Sequence, residues 1–189
     1  MPFGTIGGSD HLCGACSISS PRFDAARAAT RFEGPVREMI HRFKYDRRVQ
    51  LARPLGLIAA GTLAPWITLT SADLVVPVPL HVRRLRQRGF NQAVLISQVL
   101  ARQCKLPLDR TSLRRIRWTE PQVNLAAAER ALNVRGAFAV RCPSRVKGRR
   151  VLLVDDVFTT GSTVAECARE LKDAGAIEVM VVTVARAMA

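Results

Sequence analysis

The sequence predicts an α/β fold in which a parallel sheet is flanked by helices. Three observations carry that expectation. Short apolar runs at 74–78, 150–154 and 177–184 have the length and the Val and Leu content of buried strands. Other segments carry apolar residues at helical spacing. The two kinds of segment alternate along the chain, as βα units require.

Residues 1–20 are rich in Gly and Ser and lack periodicity. They hold Cys13-Gly-Ala-Cys16, with His11 two residues before it. A structural zinc site takes four ligands. Two thiols and one imidazole are an incomplete set, and no second C-x-x-C knuckle follows. The pair reads either as a remnant of a zinc ribbon or as two free thiols.

Residues 34–48 predict an amphipathic helix with Val36, Met39, Ile40 and Phe43 on one stripe. Lys44, Arg47 and Arg48 fall near its C-terminal turn, where cations suit the helix dipole. A second helix is expected over 50–63, and a loop over 66–71. Together, residues 21–70 predict a small helical N-terminal hood. A core follows over 71–189.

The core opens with a strand at 74–78, interrupted by Pro77 and Pro79. A basic loop runs from His81 to Gln92, and a helix follows from about Phe90 to Gln103, with Val94, Leu95, Val99 and Leu100 inward. Residues 111–118 alternate enough to be a strand or a β-arm. A short helix is expected over 125–133 and a brief strand over 138–140. The strand at 150–154, a helix over 162–174 and a strand over 177–184 complete the chain. Val164, Ala168 and Leu171 mark the inner face of that last helix, and Gly175 its stop.

Composition narrows the function. Net charge is +14 over 189 residues. Residues 81–150 hold 17 Lys/Arg against 3 Asp/Glu, while the two flanking segments cancel. So basic a middle third implies a polyanionic partner, either a polyphosphate ligand or nucleic acid, unless Arg is a generic surface residue here. No apolar run approaches the ~20 residues of a membrane span. No basic segment followed by an apolar one stands at Met1, and the five cysteines form no even framework, so a reducing cytoplasm is expected. Cys104, Cys142 and Cys167 read as small apolar residues.

The chemistry concentrates at Val151-Leu-Leu-Val-Asp-Asp-Val-Phe-Thr-Thr-Gly-Ser-Thr163. A buried strand ends in Asp155 and Asp156. A hydroxyl-rich turn, Thr159, Thr160, Gly161, Ser162 and Thr163, leads into a helix. Unpaired N–H groups and the positive dipole end favour phosphate at such a turn. Two carboxylates beside it make sense if the ligand also presents sugar hydroxyls or a bound Mg²⁺. A Walker A loop would need Lys after the glycine, and Ser162 stands there instead. A phosphoacceptor receiver domain would need more chain than follows Asp156. Simple helix capping explains Ser162 or Thr163 but not the acid pair. In the loop after the strand at 74–78, Arg83, Arg84, Arg86 and Arg88 offer guanidinium forks to phosphate oxygens, though a solvated basic loop has the same composition.

The string 151–163 resembles the binding motif of type I phosphoribosyltransferases for 5-phosphoribosyl-1-pyrophosphate (PRPP). Pro77-Val-Pro-Leu-His81 with Arg88-Gly-Phe-Asn-Gln92 precedes it, followed by Gln122, Asn124-Leu125, Glu129-Arg130, Asn133 and Gly136-Ala-Phe138. With Arg31-Phe-Glu-Gly34 and Ile40-His-Arg-Phe-Lys-Tyr45, the combination resembles the ComF family (competence protein F, GntX-like) over residues 12 to 187.

The resemblance implies a type I phosphoribosyltransferase-like parallel sheet. It implies that Asp155 and Asp156 contact the ribose hydroxyls and that Thr159 to Thr163 hold the 5′-phosphate. His81, Arg83, Arg84 and Arg88 would belong to the pyrophosphate loop. Residues 114–133 would form a lid, with Arg130 reaching the pyrophosphate. Asp155, Asp156 and Arg130 are the implied catalytic residues, and Mg²⁺ accompanies PRPP. The implied activity is transfer of a phosphoribosyl group to a nitrogen acceptor that nothing in the hood identifies. The alternative is a non-catalytic competence factor for DNA uptake that binds single-stranded DNA and a helicase or recombination protein. Family members usually carry two C-x-x-C knuckles. Cys13 and Cys16 alone imply either a start upstream of Met1 or a member without zinc.

Overall fold

The computed structural model describes residues 21–119 and 127–187. Its main sheet has four parallel strands in the order β1-β6-β5-β2. These are β1 (Ala25–Arg31), β2 (Leu74–Pro77), β5 (Arg150–Phe158) and β6 (Glu178–Arg186). β3 (Leu113–Arg115) and β4 (Phe138–Val140) form a separate antiparallel pair. The helices are α1 (Gly34–Tyr45), α2 (Ala52–Leu69), α3 (Val82–Arg88), α4 (Gln92–Cys104), α5 (Ala127–Val134) and α6 (Ser162–Asp173).

Strand period sorts the core onto two faces. Val151 and Leu153 of β5 join Val179 and Val181 of β6 against Val164, Cys167, Ala168 and Leu171 of α6. Leu152 and Val154 join Met180, Val182 and Val184 against Ile40 and Phe43 of α1, Leu55, Ala59 and Leu63 of α2, and Ile96 and Leu100 of α4. The sheet is therefore the middle of three layers, as the apolar runs predict.

Several segments depart from expectation. Residues 25–31, assigned to a helical hood, form β1 and pair with β6 from Ala25↔Met180 to Arg31↔Arg186. The segment is rich in Ala, which has little strand preference, and tertiary pairing overrides that. α2 runs on through Pro65 to Leu69 instead of giving way to a loop at Trp66. The inward stripe of α4 is Ala93, Ile96, Ser97, Leu100 and Ala101; of the expected four, only Leu100 is fully buried. The basic loop contains α3, which closes on Gly89 at φ 84 with the Gly89 N–H donated to the Leu85 carbonyl. Val82 and Leu85 stay exposed, so no apolar stripe announces that helix. Among the described residues, no helix is long and apolar enough to cross a membrane.

α2 and α4 cross closely at Gly56, where an added Cβ would stand 2.6 Å from Val99 Cβ. Gly56→Ala should therefore destabilise the chain by about 1–3 kcal/mol despite its helix propensity. Urea unfolding would measure this, and an unchanged midpoint would contradict the close crossing.

Candidate functional site

In a parallel α/β sheet, ligands sit beyond the carboxyl ends of the strands. Here β2 ends beside Val154 of β5. Pro77 is in register with Val154, and the Val78 N–H donates to the Val154 carbonyl at 2.9 Å. β5 continues past the acid pair, with Val157 and Phe158 still paired to Ala185 and Arg186. Asp155 and Asp156 thus lie within the strand and address opposite faces of the sheet.

Asp156 turns toward α1. It is buried, and its Oδ1 accepts from Lys44 Nζ at 2.8 Å. Asp155 is half-buried, and its Oδ1 accepts the Asp156 N–H at 2.9 Å. Burial first, then the neighbouring Asp156 carboxylate, pushes the Asp155 carboxyl up to about 7, against the pull of Lys44, the Asp156 N–H and Arg115.

The turn after β5 depends on one glycine. Gly161 has φ 79, and a Cβ there would lie 2.7 Å from Phe158 Cζ. Phe158 is held edge-to-face by Phe23, with ring centroids 6.1 Å apart, and by Arg186 over its ring at 5.2 Å. Gly161 caps α6 without a side-chain bond, and α6 begins at Ser162. Thr159 and Thr160 are exposed, and Thr160 Oγ1 lies 2.9 Å from Ser162 Oγ. Thr163 is half-buried in the first turn of α6.

Beyond β2, His81 caps α3, its Nδ1 accepting from the Arg83 N–H at 3.3 Å. The His81 imidazole lies 5.4 Å from the Trp118 ring. The guanidinium carbons of Arg83 and Arg84 lie 5.9 Å and 5.5 Å from the same ring. Burial, with Arg115 and Arg83 nearby, holds the His81 imidazole below its usual range. Arg88 is directed elsewhere: it lies 5.5 Å from the Tyr45 ring and donates to Gln92 Oε1 at 3.1 Å. The four expected residues of this segment thus divide, with three around Trp118 and one against α1.

Arg115 and Lys44 are site residues that the sequence reading missed. Arg115, on β3, lies within electrostatic range of both Arg84 of α3 and Asp155. Burial and the Arg84 cation lower its pKa. Its Nη2 donates to Thr119 Oγ1, and its buried Nε has no hydrogen-bond partner among the described residues. Nothing in the sequence separates it from Arg114 and Arg117. Lys44 read only as a cation at the end of α1.

Among the described residues, Asp155, Asp156 and the hydroxyls of the turn supply hard oxygen donors at this site. Hard oxygens suit Mg²⁺ accompanying an anionic ligand, and the unpartnered Arg115 Nε leaves a donor for an anion. The α5 backbone carries Arg130, whose side chain lies outside the described residues, as do His11, Cys13, Cys16, Gln122 and Asn124. Among the described residues, no three His, Cys, Asp or Glu gather as a metal cluster. Cys167 is fully buried, while Cys104 and Cys142 are half-buried.

The phosphoribosyl transferase domain model matches residues 50–189. Over 175 residues the chain is 38% identical to DNA utilization protein YhgH of Escherichia coli K12, covering 90% of this chain and 76% of that protein. It is 34% identical over 179 residues to Competence protein F of Haemophilus influenzae, covering 93% of this chain and 78% of that one. Among solved structures, the glutamine PRPP amidotransferase from B. subtilis, complexed with ADP and GMP, aligns with a TM-score of 0.48 and 25% identity over 70% of this chain. This chain spans only 26% of that protein's length.

Proposed function

The chain belongs to the ComF family of phosphoribosyl transferase domain proteins, and on that premise we propose that it binds PRPP with Mg²⁺ where β2 ends beside β5 and transfers its phosphoribosyl group to a nitrogen acceptor. The observation that carries this reading is the order of groups along β5 and its turn. Two carboxylates on opposite faces of one strand are followed at once by a glycine-dependent turn into α6.

Each residue then has a distinct task. Asp155 and Asp156 accept hydrogen bonds from the ribose hydroxyls. The turn from Thr159 to Thr163 offers N–H groups and hydroxyls to the 5′-phosphate. His81, Arg83, Arg84 and Arg115 serve the pyrophosphate end, and Arg130 is assigned to the same end. Mg²⁺ bound with the ligand would be held by Asp155 and Asp156 together with the ligand's own oxygens, and would supply positive charge to offset the leaving group. In the transfer, the bond from ribose C1 to the pyrophosphate oxygen breaks as a C1–N bond forms, and the acceptor nitrogen loses its proton to solvent. The acid pair faces the positive charge that develops at the ribose ring, as carboxylates do in glycoside hydrolysis.

A second reading rests on a different observation. Exposed Arg110, Arg114, Arg117, Arg141, Arg145 and Arg149 gather on and beside the β3–β4 arm. Two relatives carry the names DNA utilization protein and Competence protein F. A non-catalytic DNA-uptake factor that binds single-stranded DNA, alongside a helicase or recombination protein, would use that surface.

Calorimetric titration of PRPP with Mg²⁺ into the full chain tests the first reading. Saturable binding that is lost without Mg²⁺ is the expected result. No heat with PRPP, together with oligonucleotide binding that falls steeply with salt, would move the second reading to first place.

A further inference from the structure

The C-terminal turn of α1 meets the acid pair at one point and α3 at two. Lys44 Nζ reaches Asp156 Oδ1 at 2.8 Å. The Tyr45 ring lies 5.5 Å from the Arg88 guanidinium carbon. Just beyond the helix, Arg47 Nη2 donates to the Gln87 carbonyl at 2.8 Å. Phe43 anchors the turn from below, fully buried and stacked on Phe90 at 5.2 Å between centroids. One helix end from the N-terminal segment thus touches both the acid pair and the arginine-bearing helix.

The identity of the cation is informative. The chain has 25 Arg and 4 Lys, yet a lysine stands at the acid pair. An arginine would make a firmer fixed ion pair, with a planar fork matched to a carboxylate. An ammonium is compact, and its three donors can be shared between a carboxylate and a second acceptor. The Lys44 and Asp156 side chains are 21% and 10% exposed, so the pair lies at the wall of the site rather than on open surface.

We propose that Lys44 is a ligand-positioning residue of the phosphoribosyl site, acting through Asp156. Its ammonium offsets the negative charge of the acid pair, so that an anionic sugar phosphate can approach two carboxylates. A spare donor of the same ammonium is available to a ribose oxygen. The inference rests on the phosphoribosyl reading above. It adds the α1 turn, outside the strand–turn–helix motif, to the binding machinery.

Ribose 5-phosphate is the probe, because it carries the diol and the phosphate without pyrophosphate or Mg²⁺. Wild type should bind it, and Lys44→Met should bind it at least ~10-fold more weakly, the scale of one charge-assisted hydrogen bond. An amine-reactive footprint read by mass spectrometry supplies the second measurement. With so few lysines it is simple to interpret, and exposed Lys105 and Lys147 serve as internal references. Ribose 5-phosphate should slow acylation of Lys44 and leave the references unchanged. The footprint is taken on the wild-type chain, so it decides even where Lys44→Met fails to fold. Equal or tighter binding by the variant, or faster acylation of Lys44 with ligand present, would overturn the proposal; the latter would mean that the ligand expels Lys44. A wild type that binds neither ribose 5-phosphate nor PRPP would instead remove the phosphoribosyl reading, and this inference with it.

Discussion

Asp155→Asn/Asp156→Asn should abolish PRPP binding in the presence of Mg²⁺ while the chain stays folded. Two charge-assisted hydrogen bonds of roughly 1.5–3 kcal/mol each amount to at least ~100-fold in affinity. Stability should respond to the single variants in opposite directions. The Asp155 carboxyl is raised from 3.8 to about 7 in the folded chain, first by burial and then by Asp156. A group with a raised folded pKa contributes stability that is fully present below its unfolded value and is lost as pH rises through the folded value. As pH rises from the unfolded value of 3.8 to the folded value of about 7, the cost of keeping or charging this carboxyl grows. Asp155→Asn should therefore be more stable than wild type near pH 8 by about 1–3 kcal/mol, and the gap should narrow toward pH 5 and close only near pH 4. Asp156→Asn leaves the Lys44 ammonium without its partner and should cost about 1–3 kcal/mol. Urea titrations at the two pH values read both effects. An Asp155→Asn chain less stable than wild type near pH 8 would contradict this electrostatic account.

The same contrast explains how much of the site could be read from sequence. The turn and α6 were legible because the signals are local: four apolar residues, two acids, a glycine among hydroxyls, then Val164, Ala168 and Leu171 at helical spacing. β6 was legible for the same reason. β1 was not, because Ala25, Ala26, Ala28 and Ala29 carry no strand preference and acquire their state only by pairing with β6. α3 was not, because a short helix held by a His81 cap, a glycine stop and contacts to Trp118 needs no apolar face. Lys44 and Arg115 lie far along the chain from Asp155, and only the folded arrangement brings them to it. The sequence singles out the acid pair, but adjacency in sequence conceals its geometry. Strand period turns Asp155 toward α6 and Asp156 toward α1, so the two carboxylates have different neighbours and different acidities.

Basic charge in the middle third of the chain also divides once the fold is known. His81, Arg83 and Arg84 surround the Trp118 ring, and Arg115 lies within electrostatic range of Arg84 and Asp155. The arginines beside the β3–β4 arm form a separate supply. A polyphosphate ligand and a nucleic acid were alternatives in the sequence. Under the two readings proposed above they would address different residues, so loss of one interaction by mutation need not remove the other. This makes the Asn variants of the acid pair a clean separation: they should silence PRPP and leave oligonucleotide binding and its salt dependence unchanged.

Gly161→Ala should weaken PRPP binding by roughly 10–100-fold at a modest cost in stability. A residue with a side chain at φ 79 carries about 1–2 kcal/mol of backbone strain. Its Cβ would also stand 2.7 Å from Phe158 Cζ, closer than packed atoms approach. Phe158 has little freedom to retreat, because Phe23 meets it edge-to-face and Arg186 covers its ring. The cheaper response is movement of the turn itself, which carries Thr159, Thr160 and the first N–H groups of α6 away from the phosphate position. A shift of this kind costs affinity out of proportion to stability, since phosphate binding at a helix N-terminus needs several donors aligned at once. Parallel calorimetry and urea unfolding of Gly161→Ala would test it. A Phe158→Leu change in the same chain, which shortens the opposing ring, should restore part of the affinity. Affinity that falls only in step with stability, or that the second change fails to recover, would show that Gly161 serves the fold alone.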